Sequence, residues 1–225
     1  MGKSIVNRKT IVIGDIHGCY AEFERLLEKI SPGEKDRVIL LGDLVNRGPD
    51  SARVIEIAMR EGFESVIGNH EFRLLRYRET GSPGVLKDYD FRTVASLAER
   101  HWKYMETMRT SLATDDPWTV VVHGGFLPMV PWGEQNRETV CQLKYLRAGQ
   151  IPQEDLFRNS AIRPHWSEIW KGPQTVLYGH TPRARIDLKP YAIGLDTGCV
   201  YGNRLSACIL PEVEFVQVRA RKAYI

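Results

Sequence analysis

In Gly14-Asp15-Ile16-His17-Gly18 a carboxylate and an imidazole stand two residues apart. On extended backbone residues i and i+2 point the same way, and the flanking glycines permit a tight turn, so Asp15 and His17 can grip one cation. In Gly42-Asp43-Leu44-Val45-Asn46-Arg47-Gly48-Pro49-Asp50-Ser51, Asp43 ends an apolar run. Its two oxygens suit a bridge between two metals roughly 3.5 to 4 Å apart. Arg47 follows within reach of a bound phosphate, whose oxygens a guanidinium matches as a fork. Gly68-Asn69-His70-Glu71 offers Asn69 as a neutral oxygen ligand and His70 as a proton donor or charge stabiliser near a leaving group. His123 and His180 each follow a β-branched run and sit beside glycine. Singly, each of these groups reads equally as a cap, a plain turn or a hydrogen-bonded histidine. Together they form an ordered set that holds four of the six histidines. His101 and His165 fall outside it and are expected to be ordinary surface or core histidines.

Such dispersed groups meet only if something brings the ends of their runs to one place. A short β-branched run, then glycine or a polar residue, then a candidate helix recurs five times: Thr10 to Ile13, Arg37 to Leu41, Ser65 to Ile67, Val120 to Val122 and Thr175 to Tyr178. In open α/β sheets the functional crevice lies at the carboxyl ends of strands, where loops from distant positions converge. Ala21 to Ile30 and Ser51 to Arg60 read as helices, the latter capped by Asp50 and Ser51. Residues 72 to 118 break the rhythm with two charged, helical-looking stretches, Phe72 to Glu79 and Arg92 to Met108, around Gly81-Ser82-Pro83-Gly84. They read as a helical insert or cap. From Ala192 onward, short strands and turns suit an antiparallel second sheet closing the core.

At 225 residues, 43% hydrophobic and 26% charged, the chain suits one globular domain spanning 1–225, not a collagen-like, disordered or disulfide-scaffold protein. The 31 basic and 28 acidic residues are scattered, which argues against a dedicated nucleic-acid surface. Cys19, Cys141, Cys199 and Cys208 make no C-x-x-C pair, and no signal peptide or long apolar run is evident. A reduced, cytoplasmic enzyme without a membrane partner, acting as a monomer, is expected.

The five signatures resemble, in order, the motifs of the calcineurin-like metallophosphoesterase superfamily, within it the serine/threonine phosphoprotein phosphatase branch. The Leu195-Asp196-Thr197-Gly198-Cys199-Val200-Tyr201-Gly202 segment is similar to compact bacterial and phage phosphatases and to symmetrical bis(5'-nucleosyl)-tetraphosphatases. The resemblance implies an α/β (α+β), four-layer fold: a central two-sheet β-sandwich flanked by helices, with the helical insert at about 72–118. It implies two divalent metal ions, manganese in preference to iron or zinc. Asp15, His17 and Asp43 would hold one, and Asp43, Asn69, His123 and His180 the other, with a shared water or hydroxide attacking phosphorus directly. Arg47 would clamp the phosphoryl group, and Arg147 lies where relatives often place a second phosphate-binding arginine.

The implied activity is phosphomonoester hydrolysis, with phosphoserine and phosphothreonine proteins and small aryl phosphates as substrates. Hydrolysis of dinucleoside tetraphosphates or related nucleoside polyphosphates is the alternative. It requires a base pocket to which Trp102, Trp118, Trp132 or Tyr145 could contribute. A non-catalytic scaffold and a metal-dependent nuclease fit less well, the first because the ligand set is complete, the second for want of a basic stripe. Two positions depart from the family pattern. Asn46 stands where many protein phosphatases have an Asp that pairs with the histidine of the Gly-Asn-His motif. An amide cannot stabilise an imidazolium by charge, so His70 is expected to hold a proton less readily here. Ile67 replaces the arginine of the eukaryotic motif and leaves the ligands untouched.

Overall fold

The computed structural model describes residues 8–155 and 163–225. Two five-stranded sheets form the centre. In the first, β1 (Thr10–Ile13), β2 (Arg37–Leu40) and β3 (Glu64–Ser65) run parallel and lie side by side in that order. The antiparallel strands β9 (Arg204–Leu210) and β10 (Glu214–Arg219) complete it on the β1 side. In the second, β5 (Thr119–Val122), β6 (Thr175–Tyr178) and β8 (Ala192–Gly194) are parallel, edged by antiparallel β4 (Ser111–Ala113) and β7 (Asp187–Lys189).

Alternation along each strand makes four layers, because successive side chains point to opposite faces and both faces are apolar. Val12, Ile39, Leu41, Val121, Leu177, Leu195 and Cys208 meet between the sheets. Ile11, Ile13, Val38 and Leu40 face outward instead, against Phe23 and Leu26 of α1 (Tyr20–Ile30) and Val54, Ile55 and Ala58 of α2 (Ser51–Arg60). Leu74 of α3 (Asn69–Thr80) and Trp102 and Met105 of α5 (Glu99–Thr107) extend that layer. On the far side Val120, Val122, Val176 and Tyr178 pack against Val140 of α6 (Arg137–Gln142) and Trp166 and Ile169 of α7 (Trp166–Ile169). This is the two-sheet, helix-flanked architecture expected.

Two expectations need correction. The stretch Arg92 to Met108 is not one helix: α4 (Asp88–Ser96) ends at Leu97, and α5 begins after Ala98, whose backbone N–H is taken by His101 Nδ1 at 3.0 Å. Nor do the strands after Ala192 make a separate antiparallel sheet. The strand β8 lies parallel to β6, whereas β9 and β10 cross to the first sheet, Ile11 pairing with Ile209. Pairing partners so far apart in the chain are set by the apolar faces available for burial, which local pattern does not encode. No helix among the described residues is long and apolar enough to cross a membrane.

Candidate active site

Every strand-end signature opens onto the same crevice, since β1, β2 and β3 point their carboxyl ends toward it from one sheet and β5 and β6 from the other. Asp43 sits at its centre and faces two ways. Its Oδ2 lies 3.5 Å from His17 Nε2 and 3.9 Å from His70 Nε2, and its Oδ1 lies 3.4 Å from His123 Nε2. His123 Nε2 is in turn 3.2 Å from Asn69 Oδ1 and 3.1 Å from His180 Nδ1. Asp15 receives the His180 backbone N–H on both oxygens, at 3.1 and 3.0 Å. The site therefore has two lobes that share one carboxylate.

The backbone is bent hard to achieve this. Among the described residues, His17, Asp43, Asn46, Arg47 and His180 are five of only seven non-glycine residues with left-handed φ, at 49°, 48°, 71°, 67° and 65°. Such angles cost L-residues energy and persist where the surroundings over-determine them. Glu71 supplies much of that determination. Its buried carboxylate accepts the backbone N–H groups of Asp43 (2.9 Å) and Gly68 (3.1 Å) on Oε2, and those of Leu44 (2.8 Å) and Val45 (3.1 Å) on Oε1. Gly68 is required here, because a Cβ would collide with the Asp43 carboxylate, and Gly179 is held to glycine by Asp15 in the same way. Asn46 is fixed at its backbone by Ser51 Oγ, 2.9 Å away.

The hydrogen-bond partners of the four histidines separate them by role. His17 Nδ1 lies 3.1 Å from Val45 O, His123 Nδ1 2.7 Å from Leu41 O, and His180 Nε2 3.2 Å from Gln142 O. A carbonyl can only accept, so each of these nitrogens carries a proton, and in the neutral ring the opposite nitrogen turns a lone pair into the cluster. His70 is wired the other way. Its Nδ1 faces donors, Asn46 Nδ2 at 2.9 Å and Arg73 Nη2 at 3.3 Å, so the neutral ring carries its proton on Nε2, toward Asp43. Proximity alone groups His70 with His17 and Asp43 as potential ligands. The contacts of its Nδ1 turn an N–H, and not a lone pair, toward Asp43.

Charge is crowded. Burial would raise the Asp43 carboxyl, yet the facing imidazole of His123, with His70 and His17, holds it well below the usual range. Burial, with Asp196 beside it, pushes Asp15 well up, and burial near Asp43 pushes Glu71 up to about 7. Burial would lower His123, but the Asp43 carboxylate beside it drives it up to about 10. Burial lowers His17 to about 4 and holds His70 and His180 well below their ordinary value. Directed lone pairs, buried carboxylates and a neutral Asn69 oxygen form a donor set that fits two divalent ions.

Arg47 reaches the rim of the His17 lobe, its Nη1 at 3.3 Å from His17 Nε2 and donating to Tyr201 Oη at 2.7 Å. Arg147 is not drawn in: its side chain is exposed, its backbone N–H goes to Gln150, and among the described residues it makes no hydrogen bond to the cluster. Of the aromatics weighed for base stacking, Trp102 is buried under Arg78 in the helical layer, and Trp118 precedes β5 at the opposite strand end. Trp132 packs against the outer core, whereas Tyr145 is exposed with its ring edge on His165. His101 and His165 have structural partners, Glu56 and Thr181. Sequence reasoning missed Tyr201, Tyr89, Asp90 and Asp196. Tyr89 lies along His70, ring centroids 5.4 Å apart and planes at 20°, and Asp196 is pushed up to about 6 by burial.

The family model described as calcineurin-like phosphoesterase matches residues 8–212. The asymmetrical bis(5'-nucleosyl)-tetraphosphatase PrpE of Oceanobacillus iheyensis is 30% identical over 96% of this chain and 94% of its own length, and that of Bacillus subtilis 31% over 95% of each. A crystal structure assigned provisionally to the diadenosine tetraphosphatases superposes with a TM-score of 0.81 at 31% identity, covering 96% of this chain and 95% of its own. A Saccharomyces cerevisiae protein serine/threonine phosphatase shares the fold at a TM-score of 0.60 and 17% identity, over 97% of this chain and 81% of its own. With its strand-end signatures converging on one two-lobed cluster, the chain belongs to the calcineurin-like phosphoesterase family.

Proposed function

We propose that the chain is a metal-dependent hydrolase of dinucleoside polyphosphates that cleaves them asymmetrically. The observation behind this reading is the likeness, at 28–31% identity over nearly the whole chain, to proteins named as asymmetrical bis(5'-nucleosyl)-tetraphosphatases. The phosphoprotein-phosphatase expectation gives way, because its motifs are common to both classes and the yeast phosphatase, at 17% identity, speaks for the fold alone. The symmetrical mode of cleavage gives way likewise to the asymmetrical one.

In this reading Asp15, His17 and Asp43 hold one ion and Asp43, Asn69, His123 and His180 the other, with manganese the first choice. Two such ions supply charge neutralisation at phosphate and an acidified water for in-line attack. The protein's own groups do the rest. Arg47, braced by Tyr201, holds phosphate oxygens, and His70 offers Nε2–H to the leaving oxygen. The exposed Tyr201 ring, beside Arg47, gives a nucleoside an apolar face to lie on.

The test is a manganese-supplemented panel of diadenosine tetraphosphate, phosphopeptides, nucleoside triphosphates and a phosphodiester, ranked by kcat/KM with products separated. Highest efficiency on the dinucleotide, releasing a nucleoside monophosphate and a triphosphate, is expected. Highest efficiency on phosphopeptides would overturn the substrate, and two diphosphates as products would overturn the mode of cleavage.

A further inference from the structure

Helix α4, in the insert, carries Asp90, which is fully buried and reaches into the back of the site. Its Oδ1 accepts Asn46 Nδ2 at 2.7 Å. Arg73 forks onto the same carboxylate, Nε to Oδ2 at 2.7 Å and Nη2 to Oδ1 at 3.0 Å, and the backbone N–H of Lys87 donates to Oδ2 at 2.7 Å. Asn46, also fully buried, spans Asp90 and His70, while its own Oδ1 has no hydrogen-bond partner among the described residues. A buried amide oxygen left bare is costly, and something must hold the amide in that orientation.

Asp90 does so. With the amide turned over, its oxygen would face a carboxylate oxygen across 2.7 Å, and a carboxylate only accepts. The amide must therefore give its N–H groups to Asp90 and to His70 Nδ1, leaving its oxygen unsatisfied. Because Nδ1 then accepts, the imidazole proton resides on Nε2, on the side of Asp43 and the crevice. Arg73 acts in the same sense twice, by anchoring Asp90 and by pointing Nη2 at Nδ1 from 3.3 Å.

We propose that Asp90 is a positioning residue for the reaction: through Asn46 it sets the tautomer of His70, so the insert takes part in the chemistry besides covering it. The consequence for hydrolysis rests on the reading of His70 as donor to the leaving oxygen. The tautomer itself does not.

Long-range nitrogen–proton NMR correlations of the histidine rings test this on the full chain, with magnesium as a diamagnetic ion and His70→Asn to assign the signal. In the wild type at pH 7.5, His70 should show an Nδ1 acceptor and an Nε2–H. In Asp90→Asn the Asn46 amide is free to turn, and the Nδ1–H form should appear. With manganese, the same variant should lose roughly ten- to a hundredfold in kcat with KM little changed. A wild-type His70 protonated on Nδ1 overturns the proposal whether or not any variant folds. So does Asp90→Asn that folds and keeps a pure Nε2–H signal, as it would if Asp90 merely capped α4 and paired with Arg73. Should His70→Asn hydrolyse as fast as wild type, the donor reading fails and the tautomer assignment stands untouched.

Discussion

On the first-sheet side, one carboxylate, Glu71, gathers four backbone N–H groups from the loops after β2 and β3, and Asp43, Asn46 and His70 on those loops are almost wholly buried. On the second-sheet side His180 is only half-buried, and its Nε2 is held by the carbonyl of the exposed Gln142. His123 belongs to the second sheet by chain but to the first by anchorage, since its Nδ1 is held by Leu41 O. One half of the site is thus part of the folded core, and the other is applied to it. Changes on the first side should cost catalysis or folding outright, and changes on the second should cost mainly ion affinity.

The largest effect is expected at the shared group. Asp43→Asn removes the charge common to both lobes and should lower manganese-dependent turnover by about a thousandfold, roughly 4 kcal/mol of barrier. A loss under tenfold would break the view of Asp43 as the joint between halves. Glu71→Ala should come next, in stability: four buried amides lose their acceptor, a cost on the order of 3 kcal/mol or more. Urea denaturation reads it as a fall in midpoint at unchanged slope, and an unmoved midpoint would mean the first side is not tied as described. His180→Ala should leave that midpoint almost unmoved and raise the manganese concentration for half-maximal activity roughly ten- to a hundredfold. If instead it unfolds the chain, the two sides are alike and the contrast is lost.

The smallest expected effect sharpens the comparison through pH. His165 caps α7 and bonds Thr181, the residue after His180, and burial lowers its pKa to about 4. A histidine depressed in the folded state stabilises the fold fully above its unfolded value near 6.5, and that contribution fades as pH falls toward 4. His165→Gln should therefore flatten the acid side of the stability curve between pH 6.5 and 4, with little change at pH 8. Equal slopes in variant and wild type would remove His165 as a support of the second side.

How much of this could be read in the chain varied with the range of the interaction. Asp15, His17, Asp43, Asn69, His70, His123 and His180 stood out because each is a reactive type at the end of an apolar run, and parallel strands bring such ends together. Glu71 lay inside a recognised signature, yet the four amides it serves come from loops separated from it by up to 28 residues in sequence. Asp90 had no local mark, being an acid in a charged helix whose partner Asn46 is 44 residues away. The placement of β9 and β10 was hidden for the same reason, since either sheet could accept an apolar antiparallel strand. Arg147 shows the converse: its type and position suggested phosphate, and the backbone carries it to an exposed turn.

The left-handed backbone at His17, Asp43, Asn46, Arg47 and His180 also bears on how the chain can be altered. Glycine takes such angles at no steric cost, and relieving each one is worth on the order of 1 kcal/mol. A selection for thermal resistance alone would favour glycine at these positions, removing an imidazole, an amide, a guanidinium or the central carboxylate with each step. Heat-hardening of this chain and retention of its chemistry compete for the same few residues, so a screen for robust variants has to score turnover in the same round.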